Sequence, residues 1–357
     1  MKKFKLIMLV LALSLITVLI AGCIEPVDPI IIGLNSDGDG LYMSDSSVII
    51  ENNKRYVFYT TTDTAWEQSN AIALRIGELK EGGYSYTTKK IVLTASKDGW
   101  DSNNIGAPDV VKGIFNYGNV EYNYLMVYQA NKFVTEKNFS VGFAVAKTLD
   151  GEWTKVGTKP IIEYNSEIYG EFNGFYAPSV VSNDKLSNLR VFYTWADAYG
   201  HFTYYSDIDC KNLDAIAKFG YAMLPTKGLS TGENVINFPN SDFAYNEVTN
   251  TYYVIKDYSP VGAAKPKKAE RLEVAKISGD EMLVAETKTG WQSIKIYDFT
   301  NTTDSKYERL FSGCIATDAY GRLIDNNMFI VYTVSQLESE NPDYLYSARL
   351  MTFDLAL

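Results

Sequence analysis

The sequence predicts an all-β protein, a five-bladed β-propeller of four-stranded antiparallel blades, on two observations. Near-equivalent segments recur at 43–60 (MSDSSVIIENNKRYVFYT), 107–130 (APDVVKGIFNYGNVEYNYLMVYQA), 177–195 (APSVVSNDKLSNLRVFYTW), 240–257 (NSDFAYNEVTNTYYVIKD) and 316–333 (ATDAYGRLIDNNMFIVYT). Each has a short opening, a small apolar run, a turn rich in Asn, Asp or Gly, and a strand of alternating aromatic and aliphatic residues. Matching positions at Ser47, Asp109, Ser179, Asp242 and Asp318 lie 62, 70, 63 and 76 residues apart. Five copies of an all-β unit at such a period imply radial repetition. A smaller repeat supports this reading: 96–100, 149–153 and 287–291 each set a Gly turn just before a Trp. Gly supplies the positive φ of a tight hairpin, and the Trp is expected to pack back on its own blade.

Along the chain, the first element is a targeting segment outside the fold. Residues 1–5 carry three lysines, 6–20 are apolar, and Ile20-Ala21-Gly22-Cys23 follows, which resembles the lipobox of secreted lipoproteins. The apolar run is short for a membrane span, which needs ~20 residues. The expectation is a signal peptide at 1–22, a lipid on Cys23 as the sole membrane attachment, and an extracytoplasmic, membrane-anchored protein. A Pro- and Gly-containing tether follows at 23–40, then the propeller at 41–357, with blades near 41–100, 101–167, 171–232, 234–300 and 309–357. Alternating or β-branched runs at 55–62, 71–79, 124–131, 140–149, 189–195, 201–207, 252–257, 272–277, 328–334 and 344–353 read as its strands. The basic stretch 259–271 reads as a solvated excursion of the fourth blade. The carboxylates of 37–40 read as a turn, because further calcium-loop ligands are missing.

Composition narrows the function. Removal of 1–22 takes three of the 33 basic side chains and none of the 43 acidic ones, so the net charge falls from −10 to about −13. That argues against nucleic acid or an anionic lipid surface as ligand, and a neutral partner fits better. Cys210 and Cys314 lie in different blades, so a disulfide would require them to meet in space and their pairing stays open. One histidine and two candidate thiols make no zinc signature. Asn138-Phe139-Ser140 and Asn301-Thr302-Thr303 match the glycosylation acceptor.

Five such blades, openings like Ala107-Pro108-Asp109 and the run DGEWTKVGTKPII at 150–162 resemble the furanosidase propellers, glycoside hydrolase families 43 and 32 and their relatives. The resemblance spans the mature chain. It implies a central sugar-binding funnel lined by the blade openings, a glycan or polysaccharide partner, and inverting hydrolysis by a carboxylate base and a carboxylic acid. It implies no cofactor beyond a structural cation in the central channel, and a monomer is expected. Asp45 stands where the family carries its general base, and Asp109 at a structural or rim position. The slots for the pKa-tuning Asp and the acid Glu hold Ala177 and Asn240, and the metal-supporting Gly-His is Gly313-Cys314. Glu233 and Asp242 are the nearest alternatives for the acid.

Flat rings with polar edges suit sugar stacking. Tyr42, Tyr176, Trp195 and Tyr199 lie at or near blade openings and first-strand ends, and His201 follows at a hairpin; all five, with Asp109, are candidate sugar contacts. Two readings stay open: a surface-tethered glycoside hydrolase acting on arabinose-, xylose- or fructose-type units, or a non-catalytic glycan- or protein-binding propeller that has lost the acid and pKa-tuning carboxylates.

Overall fold

In the computed structural model the described residues are 43–357 apart from 63–69, 82, 134, 199, 231–237, 259–270, 285–286, 299–306, 308 and 337–347. They form five antiparallel sheets. The first contains β1 (Ser44–Glu51), β2 (Lys54–Thr62), β3 (Asn70–Lys80), β4 (Gly83–Tyr86) and β5 (Lys90–Thr94). The second contains β6 (Ile105–Tyr117), β7 (Val120–Ala130), β8 (Ser140–Ala146) and β9 (Thr154–Lys155). The third contains β10 (Gly174–Ser182), β11 (Asn188–Asp197), β12 (Gly200–Asp209) and β13 (Ala222–Met223). The fourth contains β14 (Asp242–Asn246), β15 (Thr251–Tyr258), β16 (Arg271–Ser278) and β17 (Gln292–Asp298). The fifth contains β18 (Arg309–Ile315), β19 (Asn327–Ser335) and β20 (Arg349–Ala356). Helix is confined, among the described residues, to two single turns, α1 (Ser166–Tyr169) and α2 (Gly279–Met282).

The first strands β1, β6, β10, β14 and β18 pack against one another in a closed ring, so the sheets are the blades of a five-bladed propeller. Both faces of a blade are covered by neighbours, and inner strands therefore read as nearly continuous buried runs: all seven residues of β8 (SVGFAVA) are buried. The apolar core is divided among the seams between blades. Phe58 and Ile72 meet Val110 and Met126; Phe143 and Val127 meet Phe175 and Val191; Val181 and Phe192 meet Phe243 and Val254. Ile255 and Val274 meet Leu310 and Ile330, and Val57 and Tyr59 meet Cys314 and Val331. Phe192 lies flat on Phe243 across its seam, with centroids 3.8 Å apart. A stacked pair of this kind adds ~0.5–1.5 kcal/mol beyond area burial.

The Gly-turn tryptophans serve these seams. Trp100, at the end of the first blade, stacks on Tyr128 of the second at 5.8 Å. Trp153 of the second meets Phe58 of the first edge-on at 5.7 Å. Trp291 packs on Phe238 and Phe243, and its indole N–H reaches Pro225 O at 2.7 Å. The expected packing on their own blades is thus corrected for Trp100 and Trp153: wedge-shaped blades diverge outward, and the largest side chains fill that gap.

The fifth repeat is also corrected. Its opening is Phe311-Ser312-Gly313-Cys314, and Cys314, not Asp318, is the equivalent of Ser47, Asp109, Ser179 and Asp242. Residues 316–323 instead cross the far end of the axis, where the first strands terminate. Thr317 bonds Val48 O and accepts from Ile50 N–H, Ala319 O accepts from Lys112 N–H, and Tyr320 O accepts from Ser182 N–H. Gly321 O and Leu323 N–H pair with the main chain of Tyr245. One segment of the fifth blade therefore touches the other four and closes that end of the channel. Its tight turn is organised by Asp318, whose carboxylate accepts from Tyr320 N–H and Arg322 N–H at 2.8 and 2.9 Å.

Candidate functional site: a blind axial funnel

The open end of the channel is built by a repeated backbone device. Asp45, Ala107, Ala177, Asn240 and Ser312 open the five first strands, all with φ between +43° and +48°. That conformation is costly for Ala and Ser. Recurrence at five equivalent places shows that the blade imposes it, and four of the five coincide with a bulge in the pairing with the second strand. The bulge turns each amide N–H sideways into the preceding blade, where a second-strand side chain accepts it. Ala107 N–H donates to Thr60 Oγ1 (2.8 Å), Ala177 N–H to Gln129 Oε1 (2.7 Å) and Asn240 N–H to Thr194 Oγ1 (3.0 Å). Ser312 N–H donates to Asp257 Oδ1 (2.7 Å), and Asp45 N–H closes the circle on Thr333 Oγ1 (3.2 Å). Four of these five latches use a neutral acceptor; the fourth blade uses a carboxylate.

Two residues deeper lies a second ring, Ser47, Asp109, Ser179, Asp242 and Cys314. Asp109 accepts from Ser47 Oγ (2.6 Å), its own neighbour Val110 N–H (2.8 Å) and Val180 N–H of the third blade (2.6 Å). Asp242 accepts from Ser179 Oγ (2.8 Å) and Ile315 N–H of the fifth blade (2.7 Å), while Ser179 Oγ accepts from Phe243 N–H (3.1 Å). These carboxyls join blade to blade. Burial pushes the pKa of both upward, and for Asp242 the charge of Asp109 adds to it. The reading of Asp242 as the acid is therefore replaced by a seam role, because both of its oxygens are engaged at buried donors. Cys314 Sγ lies 3.3 Å from Ser46 Oγ, and burial pushes its thiol up. Cys210 and Cys314 are both free and buried, so the open question of their pairing is answered in the negative. Among the described residues no group of three or more His, Cys, Asp or Glu is arranged to hold a metal ion, the residues around the central channel included.

Between the openings and this ring is a small open depression lined by Asp45, Ser46, Ala107, Pro108, Asp109, Ala177, Pro178, Asn240, Ser241, Asp242, Ser312 and Gly313. Asp45 is half-buried in its wall, with Ser44 Oγ on its Oδ2 at 2.7 Å. Across the axis, Asn240 Nδ2 donates to Asp257 Oδ2 at 2.5 Å. Burial pushes Asp257 up to about 7; the donors Asn240 Nδ2 and Ser312 N–H and the charge of Lys256 oppose that rise, and the charge of Asp45 adds to it. Lys256 itself points to the other side of the strand, where Nζ lies 3.3 Å from Glu273 Oε2.

Beside this pair stand Tyr176 and His201, with Tyr176 Oη 2.5 Å from His201 Nδ1. Burial pushes the phenol up, helped by the charges of Asp257 and Glu136, and burial pushes the imidazole down against the pull of Asp197. Both are therefore neutral near pH 7, a polar pair that can exchange hydrogen bonds with hydroxyls.

Of the sequence candidates, Asp45, Asp109 and Asp242 line the depression, and Tyr176 and His201 pair with each other outside that lining, with the Tyr176 phenol near enough to Asp257 to feel its charge. Trp195 is corrected. It lies in an aromatic cluster with Tyr169 and Tyr204 (centroids 4.9 Å each) and Phe175 (5.2 Å), on the strand face opposite Thr194, and is absent from the funnel lining. Tyr42, Tyr199, Glu233 and Cys23 lie outside the described residues. Asn240 belongs to the lining as well, and Asp257 lies buried behind it, bonded to its side chain. Asp257 had a signal: it ends the fourth repeat where Thr60 and Thr333 end theirs.

The class defined by these features is a five-bladed β-propeller with an axial funnel closed at one end. No protein-family model matches the chain, and no curated protein does. Solved structures do. An α-L-arabinofuranosidase from Lactobacillus brevis matches at TM-score 0.57 and 11% identity, covering 88% of this chain and 90% of that one. A family 117 glycoside hydrolase from the marine bacterium Zobellia galactanivorans matches at TM-score 0.57 and 14% identity, over 92% and 89%. A Cellvibrio cellulosa α-L-arabinanase complexed with arabinohexaose matches at TM-score 0.54 and 14% identity, over 88% and 92%. At such identities the common property is the fold, and function rests on the site.

Proposed function

We propose that this chain is a carbohydrate-active propeller that receives a neutral glycan in its axial funnel, and that it is held outside the cytoplasmic membrane by a lipid on Cys23. The observation that carries the reading is the funnel itself, blind at the 316–323 crossing and walled by the polar side chains of Asp45, Ser46, Asn240, Ser241 and Ser312. Hydroxyl-rich ligands need such a mixture of donors and acceptors without a strong cationic clamp. The acidic net charge of the chain disfavours polyanions. Structural neighbours named as arabinofuranosidases and an arabinanase make arabinose-type units, with xylose- and fructose-type units beside them, the first ligands to test.

In the hydrolytic form of this reading Asp45 takes a proton from the attacking water. Asp109 and Asp242 are held in the seams, and Ala177 and Asn240 cannot donate a proton, which favours the second reading of a glycan-binding module without turnover. Titration of the full chain with arabinan, xylan and levan oligosaccharides, with sugar release followed in parallel, separates these. Saturable binding that weakens in Asn240→Ala supports the glycan site. Absence of both binding and release for every sugar overturns it.

A further inference from the structure

We infer that Asn240 reads a donated ligand hydroxyl in this funnel, with Asp257 as the positioning residue that keeps its amide oxygen toward the ligand. The inference rests on the reading of the funnel as a glycan site and names a group that selects the glycan.

The first support comes from the polar atoms of the lining. Asp109 and Asp242 engage all four of their carboxyl oxygens with donors in the seams. Ser46 Oγ pairs with Cys314 Sγ (3.3 Å), and Ser241 Oγ with Thr203 Oγ1 (3.1 Å) and Pro239 O (3.3 Å). Asp45 Oδ2 accepts from Ser44 Oγ, while its Oδ1 has no donor among the described residues. Asn240 Oδ1 has none among them either, and it is not a buried atom. Both side chains are half-buried in the wall. Two oxygens, Asp45 Oδ1 and Asn240 Oδ1, are therefore left to a ligand beside the hydroxyl of Ser312. A carboxylate or amide oxygen accepts and does not donate, so the matching ligand group is a hydroxyl that gives its proton.

The latch circle gives the second support. At four of the five equivalent places a neutral side chain, Thr60, Gln129, Thr194 or Thr333, accepts the opening amide. A threonine at 257 would do the same for Ser312 N–H. Asp257 instead brings a second acceptor to a site only 5% exposed, where burial disfavours a carboxylate. One oxygen takes Ser312 N–H at 2.7 Å and the other takes Asn240 Nδ2 at 2.5 Å. A carboxylate only accepts, so the amide shows Asp257 its nitrogen and turns its oxygen away. Without that hold the amide is free to flip and to offer the ligand a donor in place of an acceptor. A ligand with no proton at this place leaves the amide oxygen unpaired, and the site rejects it.

The test uses the full chain and arabino-, xylo- and fructofuranosyl oligosaccharides in which fluorine replaces one hydroxyl of the terminal ring at a time. Fluorine is close to a hydroxyl in size and has no proton to donate. Affinities are measured at pH 8, above the value of about 7 to which burial raises Asp257. The expected result is one position at which fluorine weakens binding at least ~10-fold, a penalty that shrinks to within ~3-fold in Asn240→Ala. Asp257→Asn keeps an acceptor for Ser312 N–H but turns an amide nitrogen toward Asn240, which reverses the Asn240 amide. In that variant the penalty should vanish, with the fluorinated sugar bound within a few-fold of its wild-type affinity. Equal weakening of every sugar in Asp257→Asn marks a merely structural role and overturns the inference. A penalty that survives Asn240→Ala belongs to another acceptor and overturns it too. Binding by wild type with no fluorine-sensitive position overturns it and leaves the glycan site standing; no binding of any sugar removes both. If Asp257→Asn does not fold, Asp257→Thr, which keeps the latch, takes its place with the same expected loss of the penalty.

Discussion

At the scale of the residue, Asp257 couples stability to pH. Its native pKa of about 7 lies above the ordinary value of 3.8 for an exposed Asp. The folded state therefore binds its proton more tightly than the unfolded one. That contribution is fully present below the unfolded pKa and is lost as pH rises through about 7. That rise corresponds to ~4 kcal/mol at full burial. Asp257→Thr should therefore be more stable than wild type at pH 8, by as much as ~4 kcal/mol, and equal to it near pH 4. Urea unfolding at the two pH values measures the difference, and an equal offset at both would contradict the assigned cause. The sequence holds the pattern that singles this residue out, an acid where two equivalent repeats end in Thr. Its meaning emerges once the amide of Ser312 is seen against it. Tyr176 and His201 are each legible as candidates from sequence, but their pairing across two strands is not.

At the scale of the element, the segment 316–323 determines that the funnel has one mouth. Its sequence imitates a blade opening, with a small residue, an Asp and an apolar run, and that likeness displaces the fifth repeat in a sequence reading. The true opening, Phe311-Ser312-Gly313-Cys314, has neither the Pro nor the Asp of its counterparts. What it keeps is the left-handed residue at Ser312, a property of the backbone. Within the crossing, Gly321 has φ +75°, and a Cβ there would lie 3.0 Å from Val180 O. Both the conformation and the space exclude a branched side chain. Gly321→Val should cost ~2–3 kcal/mol. Amide exchange should quicken at Ile50, Lys112, Ser182 and Tyr245, the residues whose N–H groups bond the crossing. Unchanged protection at those four amides would show that the segment is not a brace.

At the scale of the whole molecule, the ring closes by side chains and turns, because the fifth blade draws all its described strands from the C-terminal part of the chain. Asp45 N–H on Thr333, Met43 N–H on Ala348 O and the Val48–Thr317 pairing make the seam. Arg55 adds to it, its guanidinium 3.7 Å from the Tyr84 ring and 3.6 Å from the Phe329 ring, so that one cation joins the first and fifth blades. Arg55→Ala should lower stability by ~1–2 kcal/mol. Exchange protection should fall first in β1 and β19, and a loss spread evenly over all five blades would argue against a seam role.

By itself the sequence determined the five-fold plan, the strands and the acidic, aromatic-rich character of the chain, because strand periodicity and repeat length are local properties of the order of residues. It also placed Asp45, Tyr176 and His201 among the candidates. Tertiary structure decided which carboxyls join blades. Asp109 and Asp242 share the look of catalytic acids in a repeat opening, yet the amides of Val180 and Ile315, 71 and 73 residues away, claim them. A hydrogen bond across a seam has no signature in either segment alone. It exists once five blades close a circle.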